Sequence, residues 1–135
     1  MALLVEEDEQ PQSVFAQAFA RDEYKCRYCG LSILQSFDAF AASHLDHLKP
    51  RSAGGSDSDP WNRVTSCGVC NSLKGSFDPC PGATVTAETF EQSVALAKDY
   101  ILKKRKGITD TSYHRDYQYW LKKTGRGEAS QETPT

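Results

Sequence analysis

Apolar residues recur at helical spacing in three stretches of the chain. The first stretch predicts a helix that begins at Ser13, a residue type that favours N-caps, and runs to about residue 22. The second predicts a long helix that is capped by Thr86 and ends before Gly107. Its apolar stripe comprises Phe90, Val94, Ala97 and Ile101. The third predicts a last helix that carries Tyr113, Tyr117, Trp120 and Leu121.

Shorter elements are predicted between the first two helices. They are a strand entering a tight turn over 24–30, a loop and then a strand over 37–48, a turn and a strand over 61–66, and a helix over 68–75. Gly30 supplies the positive φ that the tight turn needs. Trp61, Tyr117 and Trp120 are interpreted as anchors of the hydrophobic core.

The length of 135 residues predicts one domain. Leu, Ile, Val and Phe together make up only 25 of the 135 residues, so the core is thin and gains from a staple such as a bound metal. No apolar run approaches the roughly 18 residues that suggest a membrane helix, and the N-terminus is acidic where a signal peptide is basic. We therefore predict a cytoplasmic protein without a membrane partner. Its polar ends, 1–12 and 124–135, are predicted to be flexible.

Charge is distributed unevenly along the chain. Residues 1–24 are acidic, whereas residues 98–126 are strongly basic. A basic C-terminal third favours a polyanionic partner such as nucleic acid. A solvated, lysine-rich helix face is the more common explanation of such a run, and a sequence pI of 5.9 is not typical of a dedicated nucleic-acid binder. Charge alone therefore leaves both interpretations open.

Four of the five cysteines form two Cys-x-x-Cys pairs, Cys26 with Cys29 and Cys67 with Cys70. This spacing lets each pair chelate one tetrahedral ion, and two such pairs predict a shared zinc site. Because four thiolates close the coordination shell, that zinc has a structural role. The alternatives are four buried thiols or two separate redox pairs. Cys80 has no partner in this scheme and is interpreted as an inert core residue.

A group of chemistry-bearing residues lies between and across the cysteine pairs. In chain order it contains Asp46-His47, Pro50, Gly54-Gly55, Asn62 and the run Cys70-Asn71-Ser72-Leu73-Lys74-Gly75. Together with the Tyr-Lys-Cys-Arg-Tyr-Cys-Gly turn, this pattern resembles the HNH endonuclease family over residues from about 14 to 75. Asn71 stands where the family name expects the final His, which is a familiar variant of the family.

The resemblance implies a fold and a division of the chain. The expected fold class is α+β, and the expected core is a small ββα-metal unit of the HNH, or His-Me finger, type that is clamped by a Cys₄ zinc knuckle. Additional helices are expected on both sides of it. The HNH nuclease domain with its zinc site is expected over 13–80, and a helical C-terminal extension over 81–123.

The resemblance also implies roles for individual residues. Asp46 and Asn71 would be oxygen ligands for a catalytic Mg²⁺ or Mn²⁺, since hard cations prefer such ligands. His47 would be the general base, with Asn62 bracing the loop and orienting His47 by hydrogen bonding. Contacts to DNA phosphates are expected from Lys49, Arg51 and Lys74. His44 is interpreted as an ordinary core or surface histidine, and His114 as exposed.

The predicted function is therefore metal-dependent hydrolysis of phosphodiester bonds, by nicking or by cleavage of double-stranded DNA. One alternative is a non-catalytic, zinc-stabilised module that binds nucleic acid. Another is a small structural zinc protein that binds other proteins. An Asp-His pair by itself is usually a surface strand end, but Asp46, His47 and Asn71 together favour catalysis. The target sequence and the oligomeric state stay open.

Overall fold

A computed structural model describes residues 14–126, with side chains from residue 16 onward. The helices are α1 (Val14–Arg21), α2 (Phe37–Ala41), α3 (Gly68–Lys74), α4 (Phe90–Arg105) and α5 (Ser112–Lys123). The strands are β1 (His44–His47) and β2 (Arg63–Ser66), and short 3₁₀ turns cover Arg51–Ala53 and Pro60–Asn62. The expected cap Ser13, the N-terminal segment 1–12 and residues 127–135 lie outside the described residues. No helix within residues 14–126 combines the length and apolar character that crossing a bilayer requires.

The two strands form an antiparallel pair in which His44 lies opposite Ser66 and His47 opposite Arg63. The long connection between them, which includes both 3₁₀ turns, spans residues 48–62. Two residues after β2, the chain enters α3, which contacts β1. The strands predicted within 37–48 and 61–66 and the helix after them are therefore confirmed, and they form a ββα unit. The strand predicted to enter the first cysteine turn is not formed, because only Lys25 pairs there, in an isolated bridge with Ser32.

Within residues 14–126, one hydrophobic core joins this unit to the cysteine turns and to α4. The predicted apolar stripe of α4 is buried, which confirms the periodicity argument. The four residues of this stripe pack with apolar residues in and beside the ββα unit, which include Leu48, Val64 and Leu73. The fully buried Tyr28 brings the first cysteine turn into the same core. Helix α4 thus helps to hold the site in place.

Two further local expectations were wrong. Residues 37–41 form helix α2 instead of a loop, because the Ser36 side chain accepts a hydrogen bond from the Ala39 amide at 3.0 Å and caps the helix. Helix α4 begins at Phe90, later than expected. Thr86 and Thr89 each accept a hydrogen bond from the other's backbone amide, and this pairing forms a turn before the helix.

The aromatic residues of α5 were assigned to the wrong environment. Tyr117 is 50% exposed and Trp120 is 59% exposed, whereas Leu121 is the described α5 residue that is buried. Trp61 is 38% exposed, although its ring packs edge-to-face with that of Phe90 at a centroid distance of 5.2 Å. Helical periodicity identifies the face of a helix but does not state whether another element covers it.

Candidate active site and metal centre

The two cysteine pairs meet in one cluster. Gly30 has φ +84° and closes the first turn, while Cys67 caps α3 and its sulfur accepts from the Cys70 amide at 3.4 Å. The sulfurs of all four cysteines lie within 4.8 Å of one another, and Cys29 Sγ is 3.7 Å from Cys67 Sγ. A tetrahedral zinc with Zn–S bonds of about 2.3 Å places its sulfurs about 3.8 Å apart. These four residues could therefore hold a zinc ion together.

The four thiols differ in pKa. A hydrogen bond with Cys29 lowers the pKa of Cys26 to about 6. Hydrogen bonds with Cys26 and Cys29 lower the pKa of Cys67 far below its ordinary range, while the pKa values of Cys29 and Cys70 are raised. The cluster thus favours thiolate at some sulfurs, and thiolate is the form that binds metal.

Arg105, the last residue of α4, contacts this cluster. Its Nε donates to Cys70 Sγ at 3.4 Å, and the NH2 group lies 3.9 Å from Cys29 Sγ and 3.8 Å from Cys67 Sγ. Burial lowers the pKa of the guanidinium, but the neighbouring sulfurs more than offset this, so the pKa of Arg105 is raised. Arg105 has no distinctive signal in the sequence, because it precedes Lys106 in a basic run that is typical of an ordinary helix C-terminus.

Asp46 lies on β1 with its carboxylate largely buried. Its Oδ2 accepts from the Tyr28 hydroxyl at 2.8 Å and lies 3.4 Å from Lys74 Nζ. Burial raises the pKa of Asp46, whereas Lys74 and Tyr28 act in the opposite direction by stabilising the carboxylate. The hydroxyl of Tyr28 and the ammonium group of Lys74 therefore hold Asp46 in a fixed position.

Lys74 also joins α3 to β1. Its Nζ donates to the carbonyl oxygen of His47 at 2.9 Å, so one buried ammonium group contacts two consecutive residues of β1. Asn71 precedes Lys74 by three residues and therefore lies on the same face of α3. This arrangement brings the helix face that carries Asn71 to the strand that carries Asp46 and His47.

The imidazole of His47 has a carboxylate partner that no sequence motif indicates, Asp57. His47 Nε2 lies 2.7 Å from Asp57 Oδ1, and Asp57 also accepts from Arg51 Nε at 2.8 Å. Hydrogen bonds from Arg51 and His47 lower the pKa of Asp57 to about 2. The only sequence signal for Asp57 is its place in the Ser/Asp run after Gly55, which by itself is typical of a loop.

Asn62 closes the loop that carries Asp57. Its side chain is buried, accepts from the Lys49 amide at 2.8 Å and donates to the carbonyls of Lys49 at 3.1 Å and Ser56 at 3.0 Å. Gly55 is required here, because an added Cβ would lie 1.7 Å from the Lys49 carbonyl oxygen. Asn62 thus braces the loop directly and contacts the backbone two residues after His47.

Comparison with known proteins identifies this region. Residues 26–77 match the family model described as HNH endonuclease. We refer to residues 26–77 as the HNH domain. The matched range includes both cysteine pairs, the ββα unit and the loop of Asp57. Neither a search of curated proteins nor a search of solved structures found a significant match.

The three basic residues expected at DNA phosphates have different environments in the HNH domain. Lys49 and Lys74 are buried, and Lys49 Nζ donates to Asp78 Oδ2 at 2.7 Å and to the Cys80 carbonyl at 3.2 Å. Direct phosphate contacts through these two lysines do not fit this arrangement, since both ammonium groups are bonded to acceptors inside the protein. The side chain of Arg51 is 70% exposed and stays accessible to a ligand.

Proposed function

We propose that this protein is a metal-dependent HNH endonuclease that hydrolyses phosphodiester bonds of double-stranded DNA. The observation that carries this proposal is the double contact of Lys74 with the Asp46 carboxylate and the His47 carbonyl. Through it, a candidate metal ligand, a candidate base and the face of α3 with Asn71 are joined in one ββα unit within the range that matches the HNH family.

His47 is proposed as the general base. Its Nε2 contacts Asp57, which leaves Nδ1 as the ring nitrogen that accepts a proton from the attacking water. The water oxygen then bonds to phosphorus, the bond from phosphorus to the 3′ oxygen breaks, and that oxygen is protonated by solvent. The products are a 5′-phosphate and a 3′-hydroxyl, as the resemblance to the family implies.

Asp46 and Asn71 are proposed as the protein ligands of a catalytic Mg²⁺ or Mn²⁺. Their carboxylate and amide oxygens fit a hard cation. When bound, such an ion neutralises charge on the scissile phosphate and on the leaving oxygen. Tyr28 and Lys74 keep the buried Asp46 carboxylate oriented and oppose its protonation. Neither Tyr28 nor Lys74 needs to contact the substrate for this role.

The four-cysteine cluster is proposed to hold a structural zinc. Cys26 and Cys29 lie in a turn without a regular strand, whereas Cys67 and Cys70 begin α3. Zinc bound to all four would tie that turn to the helix that carries Asn71, and it leaves no coordination position for a substrate. Its contribution is therefore to the position of α3.

Cleavage of supercoiled plasmid tests the nuclease proposal. Wild-type protein at verified zinc content is expected to nick or linearise DNA with Mg²⁺ or Mn²⁺ and to be inactive in EDTA. The variant His47→Ala should keep its fold and its DNA affinity while hydrolysis falls by roughly 10² or more. His44→Ala is the matched control, because His44 is exposed at the other end of β1.

Cleavage by His47→Ala at the wild-type rate would mean that another group is the base. DNA binding without cleavage under any metal condition would instead favour the zinc-stabilised binding module.

A further inference from the structure

The guanidinium of Arg105 lies against three of the four cysteine sulfurs, at the distances given above. Arg105 lies 35 residues after Cys70 and comes from α4, outside the matched HNH range. Its side chain is half-buried. The contact therefore joins the C-terminal extension to the metal centre of the HNH domain.

The charge of a metal-loaded cluster explains what Arg105 can do there. Four thiolates around one Zn²⁺ carry a net charge of about −2. Three of these four cysteines are buried, and a buried charge is costly unless an opposite charge or hydrogen-bond donors compensate for it. A guanidinium is suited to this position because its planar fork directs separate N–H groups to separate acceptors.

The backbone of the same residue extends the link to α5. The carbonyl oxygen of Arg105 is in contact with His114 Nε2, so His114 is half-buried instead of exposed as expected. Gly107 permits this contact, because a Cβ there would lie 3.1 Å from the His114 ring. Lys104 Nζ adds a hydrogen bond to the Leu73 carbonyl at 3.2 Å, which joins the end of α4 to α3.

We propose that Arg105 is an outer-sphere partner of the metal–thiolate cluster and raises the affinity of the cluster for zinc. Zinc binding then restricts the motion of the end of α4 and, through it, of α5. This inference rests on the structural zinc of the proposed function and is independent of cleavage activity. Partners of metal ligands typically contribute about ten- to a hundredfold to metal affinity.

Zinc affinity of the full chain tests the proposal. The dissociation constant for Zn²⁺ is measured by competition with a chromophoric chelator, for wild type, Arg105→Gln and Arg105→Lys. Arg105→Gln is expected to bind zinc about ten- to a hundredfold more weakly. Arg105→Lys keeps the positive charge and most of the aliphatic chain but lacks the planar guanidinium. Its zinc affinity should therefore lie between those of wild type and Arg105→Gln. Lys106→Gln removes the same charge from the exposed neighbouring residue and should bind like wild type.

Hydrogen exchange gives a second readout. In wild type, zinc is expected to slow amide exchange in α5, and Arg105→Gln should lose most of this effect even at saturating zinc. If Arg105→Gln binds zinc as tightly as wild type, the proposed role of Arg105 is overturned but the zinc site is not. A wild-type chain that binds no zinc would overturn the zinc site as well. If the glutamine variant does not fold, weaker binding by Arg105→Lys supports the proposal and unchanged binding overturns it.

Discussion

At the scale of single residues, the contact between His47 and Asp57 is the feature that most directly affects the proposed chemistry. Both groups are accessible to solvent, so the pair adds little to folding stability. Its effect is on geometry, because a carboxylate at Nε2 favours the tautomer whose Nδ1 can accept a proton. With a pKa of about 2, Asp57 stays ionised at every pH at which such an enzyme is assayed.

Asp57→Asn is therefore expected to lower kcat for plasmid cleavage by about tenfold, with KM for DNA nearly unchanged. The loss is smaller than the roughly 10² to 10⁴ that a general base contributes, since Asp57 only orients His47. Steady-state cleavage kinetics at fixed Mg²⁺ and zinc measure both constants.

Asp59→Asn is the matched control for this substitution. It removes the same charge from the same loop, and asparagine can still accept the hydrogen bond that Asp59 receives from the Trp61 amide. Equal losses of kcat in the two variants would show that loop charge matters instead of the contact with His47.

At the scale of elements, short segments depend on contacts from outside themselves. Each strand has four residues and α3 has seven, which are too few for independent stability. The buried Lys74 holds β1 and α3 together, and the cysteine cluster holds the first turn to the start of α3. The ββα unit is therefore expected to be stable only while both links are intact.

Removal of zinc, or the substitution Cys26→Ser, is expected to lower Tm by on the order of 10 °C or to unfold the domain. The reason is that the thin core has lost the link between its first turn and α3. Thermal unfolding followed by circular dichroism, with and without a chelator, measures the change.

Cys80→Ser provides the comparison for this experiment. Cys80 is half-buried and lies outside the cluster, so its substitution should leave the response to the chelator as in wild type. An unchanged melting curve after verified zinc loss would show that zinc bound by the four cysteines does not stabilise the fold.

At the scale of the whole molecule, positive charge and exposed aromatic rings coincide on α5. Lys122 and Lys123 lie in its last turn, and Tyr113, Tyr117 and Trp120 are exposed on the same helix. The HNH domain itself offers fewer accessible cations, because Lys49 and Lys74 are buried. We therefore expect much of the electrostatic attraction for DNA to come from α5.

The double substitution Lys122→Gln/Lys123→Gln is accordingly expected to weaken DNA binding. The slope of log affinity against log salt should decrease in magnitude by about 0.9 for each phosphate contact that is lost. The cleavage rate at saturating DNA should change little. Fluorescence anisotropy with labelled duplex at several salt concentrations measures the affinities.

Lys25→Gln/Lys98→Gln removes two exposed charges outside α5 and serves as the comparison. Equal effects of the two double variants would mean that the attraction is spread over the surface.

Much of this protein could be predicted from short-range patterns. The positions of β1, β2, α3 and the buried face of α4 follow from periodicity, because backbone geometry determines which residues share a face. The paired spacing of the cysteines predicted their cluster for a similar reason, since each Cys-x-x-Cys turn sets its own two sulfurs side by side.

What only the tertiary structure decided is which distant groups meet. Lys74 and the His47 carbonyl are 27 residues apart, and Arg105 is 35 residues from Cys70. No local rule relates such positions, because their distance depends on how separate elements pack. The same reason explains why Lys49 is buried against Asp78, why Asp57 reaches His47, and why the aromatic face of α5 is exposed. The sequence by itself determined the local turns, helix faces and ligand spacings, whereas packing determined the partner of each charged side chain.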